Sequence, residues 1–175
     1  MRQLADADRI RVFMRELARA ATSSGHVYFA GGATAVLLGW RHSTLDVDLK
    51  LVPDQDSLLR AIPALKESLQ LNVELAAPDD FIPVAPSWQE HSPFIAQEGR
   101  LTFRHFDLSF QALAKIERGH VQDLNDVRAM LDRGLVDREG LRQAFEAVES
   151  QLYRYPALDP ASFRRAVDAA LRDSG

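Results

Sequence analysis

The chain has 175 residues, of which 46% are hydrophobic and 26% charged, a composition typical of a globular protein. The formal net charge of -4 argues against a protein that binds nucleic acid through bulk positive charge, so a polynucleotide substrate would need a local basic patch. The absence of cysteine excludes disulfides and thiolate metal ligands. No apolar run is long enough to span a membrane and residues 1–19 lack the apolar block of a signal peptide, so we expect a cytoplasmic protein with no membrane partner.

The first elements of the chain alternate between helical and strand patterns. Residues 6–22 carry apolar side chains at steps of three and four, which predicts an amphipathic helix. Residues 27–30 predict a short buried strand that ends at a pair of glycines. A short apolar helix should follow over residues 33–38, with Gly39 at its end.

A strictly alternating stretch covers residues 45–51 and predicts a strand with one apolar and one polar face. The apolar positions are Leu45, Val47, Leu49 and Leu51. The polar positions are Asp46, Asp48 and Lys50. Two acidic side chains therefore share one face of this strand.

The next two elements are a helix and a second alternating strand. Residues 56–69 predict a helix that Pro63 should kink or split. Residues 71–76 alternate again, with Leu75 on the apolar side and Glu74 on the polar side. Glu74 is thus the nearest acidic residue on a neighbouring strand pattern.

The remaining patterns change from irregular to helical. Residues 78–93 hold four of the eight prolines and predict a long irregular segment, and residues 94–106 predict a β-hairpin. From residue 108 onward every pattern is helical, and Leu124 is expected to face the interior of its helix. The predicted fold is α/β (α+β), with a small mixed sheet flanked by helices over residues 1–107 and an all-helical part over residues 108–175.

The paired aspartates predict a metal site. Asp46 and Asp48 lie one residue apart on a strand face, so their carboxylates can share a hard cation. Mg²⁺ prefers one or two carboxylates together with waters and substrate phosphates, and two such ions can serve phosphoryl transfer. Glu74 is the candidate third acid. A solvated strand face is the alternative explanation for an isolated Asp-x-Asp triplet.

The paired glycines predict a phosphate site. Gly31 and Gly32 lie at a strand-to-helix turn, where backbone N–H groups and the helix N-terminus favour an anion. Three polar residues just before the acidic strand are candidates for nucleotide contacts: Arg41, Ser43 and Thr44. A plain tight turn is the alternative for the glycines alone, but the glycine pair and the acidic pair together are more specific.

The segment Ala30-Gly31-Gly32, thirteen further residues and Asp46-Val47-Asp48-Leu49 resembles the signature of the nucleotidyltransferase superfamily related to DNA polymerase β. The resemblance covers roughly residues 26–77. It implies a small mixed sheet flanked by helices and transfer of NMP from an NTP to an acceptor hydroxyl. It also implies that Asp46 and Asp48 are catalytic ligands of Mg²⁺ and that Gly31 and Gly32 lie at the triphosphate.

A second resemblance covers the helical part. The segments 106–110, 114–120 and 123–128 resemble the C-terminal part of bacterial nucleotidyltransferases akin to AbiEii toxins. The resemblance implies functional roles for Lys115 on one helix and for either Asp123 or Asp126 on the next, and the spacing does not choose between the two aspartates. It further implies a toxin of a toxin–antitoxin pair, with tRNA as acceptor and an antitoxin as partner protein.

Three functional hypotheses follow from these patterns. The first is a metal-dependent nucleotidyltransferase of the toxin type that modifies tRNA. The second is a small-molecule transferase of the aminoglycoside-modifying kind. The third is a non-catalytic module with the same fold that binds a nucleotide or a partner protein, for which the net acidity and the uncertain third carboxylate leave room.

Overall fold

The computed structural model describes residues 2–172, which form seven α-helices and a five-stranded mixed sheet. The helices are α1 (Ala7–Arg19), α2 (Gly31–Leu38), α3 (Asp56–Ser68), α4 (Leu108–Arg118), α5 (Val121–Asp132), α6 (Arg138–Val148) and α7 (Pro160–Arg172). The strands are β1 (Gly25–Ala30), β2 (Asp46–Val52), β3 (Asn72–Leu75), β4 (Phe94–Glu98) and β5 (Leu101–His105). The predicted α/β class is confirmed.

The strands follow the order β3-β2-β1-β5-β4 across the sheet. Strands β1 and β2 are antiparallel, as are β4 and β5, whereas β1 is parallel to β5 and β2 is parallel to β3. The carboxyl end of β1 therefore lies beside the first half of β2, and Ala30 is paired with Asp48. This pairing brings the glycine turn next to the acidic strand.

The chain divides into two compact units. The sheet unit comprises Met1–Ala77 and Ser92–Phe106, and the helical unit comprises Pro78–His91 and Asp107–Gly175. The proline-rich segment thus belongs with the helices. Residue 1 and residues 173–175, which the predicted ranges include, lie outside the described part of the chain. Among residues 2–172, no helix combines the length and the apolar character needed to cross a membrane.

The core of the sheet unit lies on the apolar face of β2. Val47 and Leu49 are fully buried there and pack in one cluster with the buried residues of α1 and α3. Two predicted apolar-face positions are exposed instead: Leu45, at 68%, and Leu75, at 55%. Leu45 precedes the first residue of β2, and Leu75 ends the edge strand β3, so the alternating burial does not extend to either residue.

Helix α3 continues through Pro63 without a break. Of the two predicted effects of this proline, the split is therefore wrong, and the kink stays a prediction. Pro63 is exposed, so its ring faces away from the buried residues Leu58 and Ile62. A proline on the outer face removes one helical hydrogen bond but leaves the buried face of the helix intact.

Aspartates cap α4 and α6 in the helical unit. Asp107 accepts a 2.9 Å hydrogen bond from the amide of Ser109, and Asp137 accepts one of 2.6 Å from Gly140. Helix α4 ends at Gly119, whose φ of 71° is the left-handed conformation common at helix ends. These caps fix the boundaries of α4, on which the predicted site residue Lys115 lies.

Candidate functional site

The glycine turn joins β1 directly to α2. Ala30 is extended, and no side chain caps the helix there. Gly31 is the first helical residue and has a φ of 59°, a conformation that L side chains rarely adopt. The backbone N–H groups of the first helical turn have no intrahelical acceptor, so this end of α2 suits an anion.

The side chains of Asp48 in β2 and of Thr44 just before β2 lie against the two glycines. A Cβ atom added to Gly31 would lie 2.8 Å from the Oδ2 atom of Asp48. A Cβ atom added to Gly32 would lie 2.6 Å from the Cβ atom of Thr44. The positive φ of Gly31 and the close packing of Gly32 against Thr44 thus each favour glycine, and the missing side chain at Gly31 lets the Asp48 carboxylate lie against the N-terminal end of α2.

The three predicted acidic residues lie on two adjacent strands. Asp46 and Asp48 are half-buried on one face of β2, opposite the buried Val47 and Leu49. Strand β3 is the parallel neighbour of β2, and its register pairs Asp48 with the exposed Glu74. The three carboxylates therefore share one side of the sheet.

Asn72 bridges Asp46 and Glu74. It is paired with Asp46 across the two strands, and its Nδ2 atom donates hydrogen bonds to Oδ1 of Asp46 and, at 3.2 Å, to Oε1 of Glu74. The alternation of β3 places Asn72 on the polar face, but its role as a bridge depends on the strand register. Asn72 is thus a residue of the acidic cluster that sequence reasoning did not include among the site residues.

The donor set fits a Mg²⁺ ion held by two protein carboxylates. In the described part of the chain, no three histidine, aspartate or glutamate side chains lie close enough together to hold a metal ion. Asp46 and Asp48 are two carboxylates of the kind that Mg²⁺ binds together with substrate phosphates and waters, and metal binding by them stays a prediction. Glu74 as a third acid stays a prediction.

The three predicted nucleotide contacts before β2 differ in their surroundings. Thr44 is buried, its backbone pairs with Ala5, and its hydroxyl donates to the carbonyl of Asp46 at 3.2 Å. These contacts give Thr44 a structural role at the start of the acidic strand. Arg41 and Ser43 are half-buried, and Arg41 lines an open cleft of about 450 Å³ at the C-terminal end of α2. Nucleotide contacts by all three residues stay predictions.

The helical unit contains a buried ion pair between α4 and α5. Nζ of Lys115 lies 2.8 Å from Oδ2 of Asp126, and both side chains are more than nine-tenths buried. Gln122 donates to the second carboxylate oxygen of Asp126 at 3.2 Å. The structure therefore joins two of the predicted catalytic residues in one contact.

Asp123 forms a separate ion pair with Arg118. The guanidinium donates two hydrogen bonds to its carboxylate, at 2.8 and 2.5 Å, and the amide of His120 donates a third at 3.2 Å. Burial tends to raise the pKa of Asp123, but the Arg118 bonds and charge, the Lys115 charge and the His120 amide outweigh it and lower that pKa below its usual value. Asp123 also forms part of the capping box of α5.

These contacts correct one expectation about α5. The buried face of the helix consists of Asp123, Asp126, Val127 and Met130, whereas Leu124, predicted to be interior, is 41% exposed. The two aspartates can take buried positions because cations on α4 neutralise them. Asp126 thus pairs with Lys115 and Asp123 with Arg118. Which of the two aspartates is functional stays open.

His105 is a buried polar residue that no motif of the sequence singles out. It ends β5, and its Nδ1 atom lies 2.9 Å from the hydroxyl of Thr34 on α2. Burial lowers the pKa of His105 to about 4, so the folded chain holds a neutral imidazole.

Acid should therefore destabilise the sheet unit. Between pH 6.5 and 4 the unfolded chain binds a proton at His105 that the folded chain does not, so the free energy of unfolding should fall by up to about 3 kcal/mol as the pH drops through this range. Above pH 6.5 this contribution is constant. Urea unfolding from pH 7.5 to 4.5 measures it, and His105→Gln should remove most of this pH dependence. The exposed His42 provides the control: if His42→Gln removes as much, the assignment to His105 is wrong.

Comparisons with known proteins found no match to this chain. No protein-family model matches the chain, no curated protein matches it, and no solved structure matches it.

Proposed function

We propose that the chain is a metal-dependent nucleotidyltransferase that moves NMP from an NTP to an acceptor hydroxyl. The observation that carries the proposal is the contact between the acidic strand and the glycine turn, where the carboxylate of Asp48 lies against Gly31. In this proposal a carboxylate that would bind the cation and a helix N-terminus that would bind the anion are adjacent, as a metal–triphosphate substrate requires. The resemblance of the glycine and aspartate motifs supplies the reaction.

Different residues of the sheet unit would bind the phosphates, hold the metal and accept the proton of the acceptor hydroxyl. The amides of Gly31 and Gly32 would hold the phosphates, and Asp46 and Asp48 would hold one or two Mg²⁺ ions. Bound Mg²⁺ supplies neutralisation of phosphate charge and orientation of the reacting oxygens. The acceptor oxygen would form a bond to the α-phosphorus while the bond from that phosphorus to the β-phosphate oxygen breaks, releasing pyrophosphate. The proton of the acceptor hydroxyl would pass to a carboxylate such as Glu74, which is exposed beside Asp48.

The helical unit enters this proposal through the resemblance alone. Lys115 would neutralise triphosphate charge as a point cation, and Asp126 would hold its ammonium group. Asp123 would contact the nucleotide in addition to its bonds with Arg118 and its role in the capping box of α5.

The proposed acceptor is tRNA, with a toxin role in a toxin–antitoxin pair. Incubation with each α-labelled NTP, Mg²⁺ and total cellular RNA should label a band of tRNA size, and chelation of Mg²⁺ should abolish the label. A labelled aminoglycoside instead of RNA would support the small-molecule transferase. Growth arrest on expression in a bacterial host, cured by Asp46→Ala, would support the toxin role.

A non-catalytic nucleotide-binding module is the second candidate. The observation that favours it is the acidic cluster itself, because Asn72 already bonds Asp46 and no group of three metal-ligating side chains is present among residues 2–172. Calorimetry with each NTP and Mg²⁺ distinguishes the two. Tight binding without label transfer to RNA or to an aminoglycoside would support the module and contradict the enzyme.

A further inference from the structure

A buried pair of polar side chains joins α2 to β5 behind the glycine turn. Thr34 and His105 are 1% and 3% exposed, and the Oγ1 atom of Thr34 lies 2.9 Å from Nδ1 of His105. Thr34 lies three residues after Gly31 and so belongs to the first turn of α2. The pair therefore connects the end of one strand to the helical turn that carries the proposed phosphate site.

The same pair holds the backbone just before the glycines. The carbonyl of Phe29 accepts a hydrogen bond from the hydroxyl of Thr34 at 3.3 Å and another from the amide of Phe106 at 2.8 Å. Phe29 is also paired with His105 in the parallel ladder between β1 and β5. The segment entering Gly31 is thus attached both to α2 and to the end of β5.

Apolar packing alone does not require this arrangement. Valine has nearly the shape of threonine and would fill the same space without a hydroxyl to satisfy. A buried hydrogen-bonded pair instead fixes the orientation of the two elements that it joins, because the bond forms only in a narrow range of distances and angles. The neutral imidazole of His105 suits this role, since one ring nitrogen can donate and the other accept.

We propose that Thr34 and His105 are positioning residues that orient the backbone N–H groups of Gly31 and Gly32 toward a phosphate ligand. The inference rests on the proposed function, because it assigns a geometric cause to the phosphate site. An anion at a helix N-terminus is held by several amides at once, so a small rotation of α2 weakens all of these contacts together.

The test measures the glycine amides directly and uses pyrophosphate with Mg²⁺ as the probe. In ¹⁵N-labelled protein, Thr34→Val should shift the amide signals of Gly31 and Gly32 without ligand and should weaken pyrophosphate binding by about tenfold. Thr34→Ser keeps the hydroxyl and should restore both the signals and the affinity. Thr34→Ala replaces the valine variant if that variant does not fold, because it removes the hydroxyl without adding a methyl group.

The control separates positioning from a general loss of stability. Ile62→Val removes a buried methyl group from the core of the sheet unit and should leave the glycine signals and the pyrophosphate affinity unchanged. If Thr34→Val behaves like Ile62→Val, the positioning role is overturned. If the wild-type glycine signals do not respond to pyrophosphate, the proposed function is contradicted, and the ligand-free signals of Thr34→Val still decide whether the pair positions the turn.

Discussion

Replacing Asp48 with asparagine should abolish nucleotidyl transfer and leave the fold intact. Asparagine has nearly the same shape, so it fits beside Gly31, but it removes the charge that would hold Mg²⁺. Charge stabilisation by a catalytic metal is worth several kcal/mol, which corresponds to a loss of about 1,000-fold or more in transfer rate. Label transfer from α-labelled NTP measures the rate, and thermal unfolding measures the fold.

The matched control for this loss is Asp54→Asn. Asp54 is exposed just after β2, so the variant removes the same charge from the same segment and should keep transfer within about twofold of the wild-type rate. Asp46→Asn should lose transfer as Asp48→Asn does. Glu74→Gln tests whether a third acid is needed: a large loss supports proton transfer or metal binding by Glu74, whereas an unchanged rate contradicts both roles. Equal NTP consumption by wild type and by the Asp48 and Asp46 variants would contradict the proposed metal site.

Patterns within single elements predicted most of the sheet unit. The alternation in β2 predicted the burial of Val47 and Leu49 and the half-exposure of the aspartates, because side-chain direction in a strand has a period of two. A glycine after a short apolar run predicted the end of α2 at Gly39, because glycine readily adopts the left-handed conformation found at helix ends. These predictions need no knowledge of distant residues.

Contacts between distant elements were not predictable in this way. The bridge from Asn72 to Asp46 depends on the parallel register of β3 against β2, which no periodicity shows. The pair of Thr34 and His105 joins residues 71 positions apart. The buried aspartates of α5 break the apolar pattern for a similar reason, because their countercharges lie on another helix.

Removing the partner of Lys115 should destabilise the helical unit strongly. Asp126→Leu would leave the ammonium group of Lys115 buried without its counter-ion. Breaking a buried ion pair from one side typically costs about 3–5 kcal/mol, which is a large fraction of the stability of a domain. Urea unfolding monitored by circular dichroism measures the change in free energy of unfolding.

The double variant Lys115→Met/Asp126→Leu separates stability from function. Replacing both charges with apolar side chains of similar size leaves no buried charge, so most of the lost stability should return. If the pair serves only the fold, this stable double variant keeps its transfer activity; if Lys115 contacts the triphosphate, the variant is folded but inactive. Lys66→Met provides the control, since it makes the same change on the half-buried surface of α3 and should alter stability by no more than about 0.5 kcal/mol. A double variant as unstable as Asp126→Leu would show that an unpaired buried charge does not account for the loss.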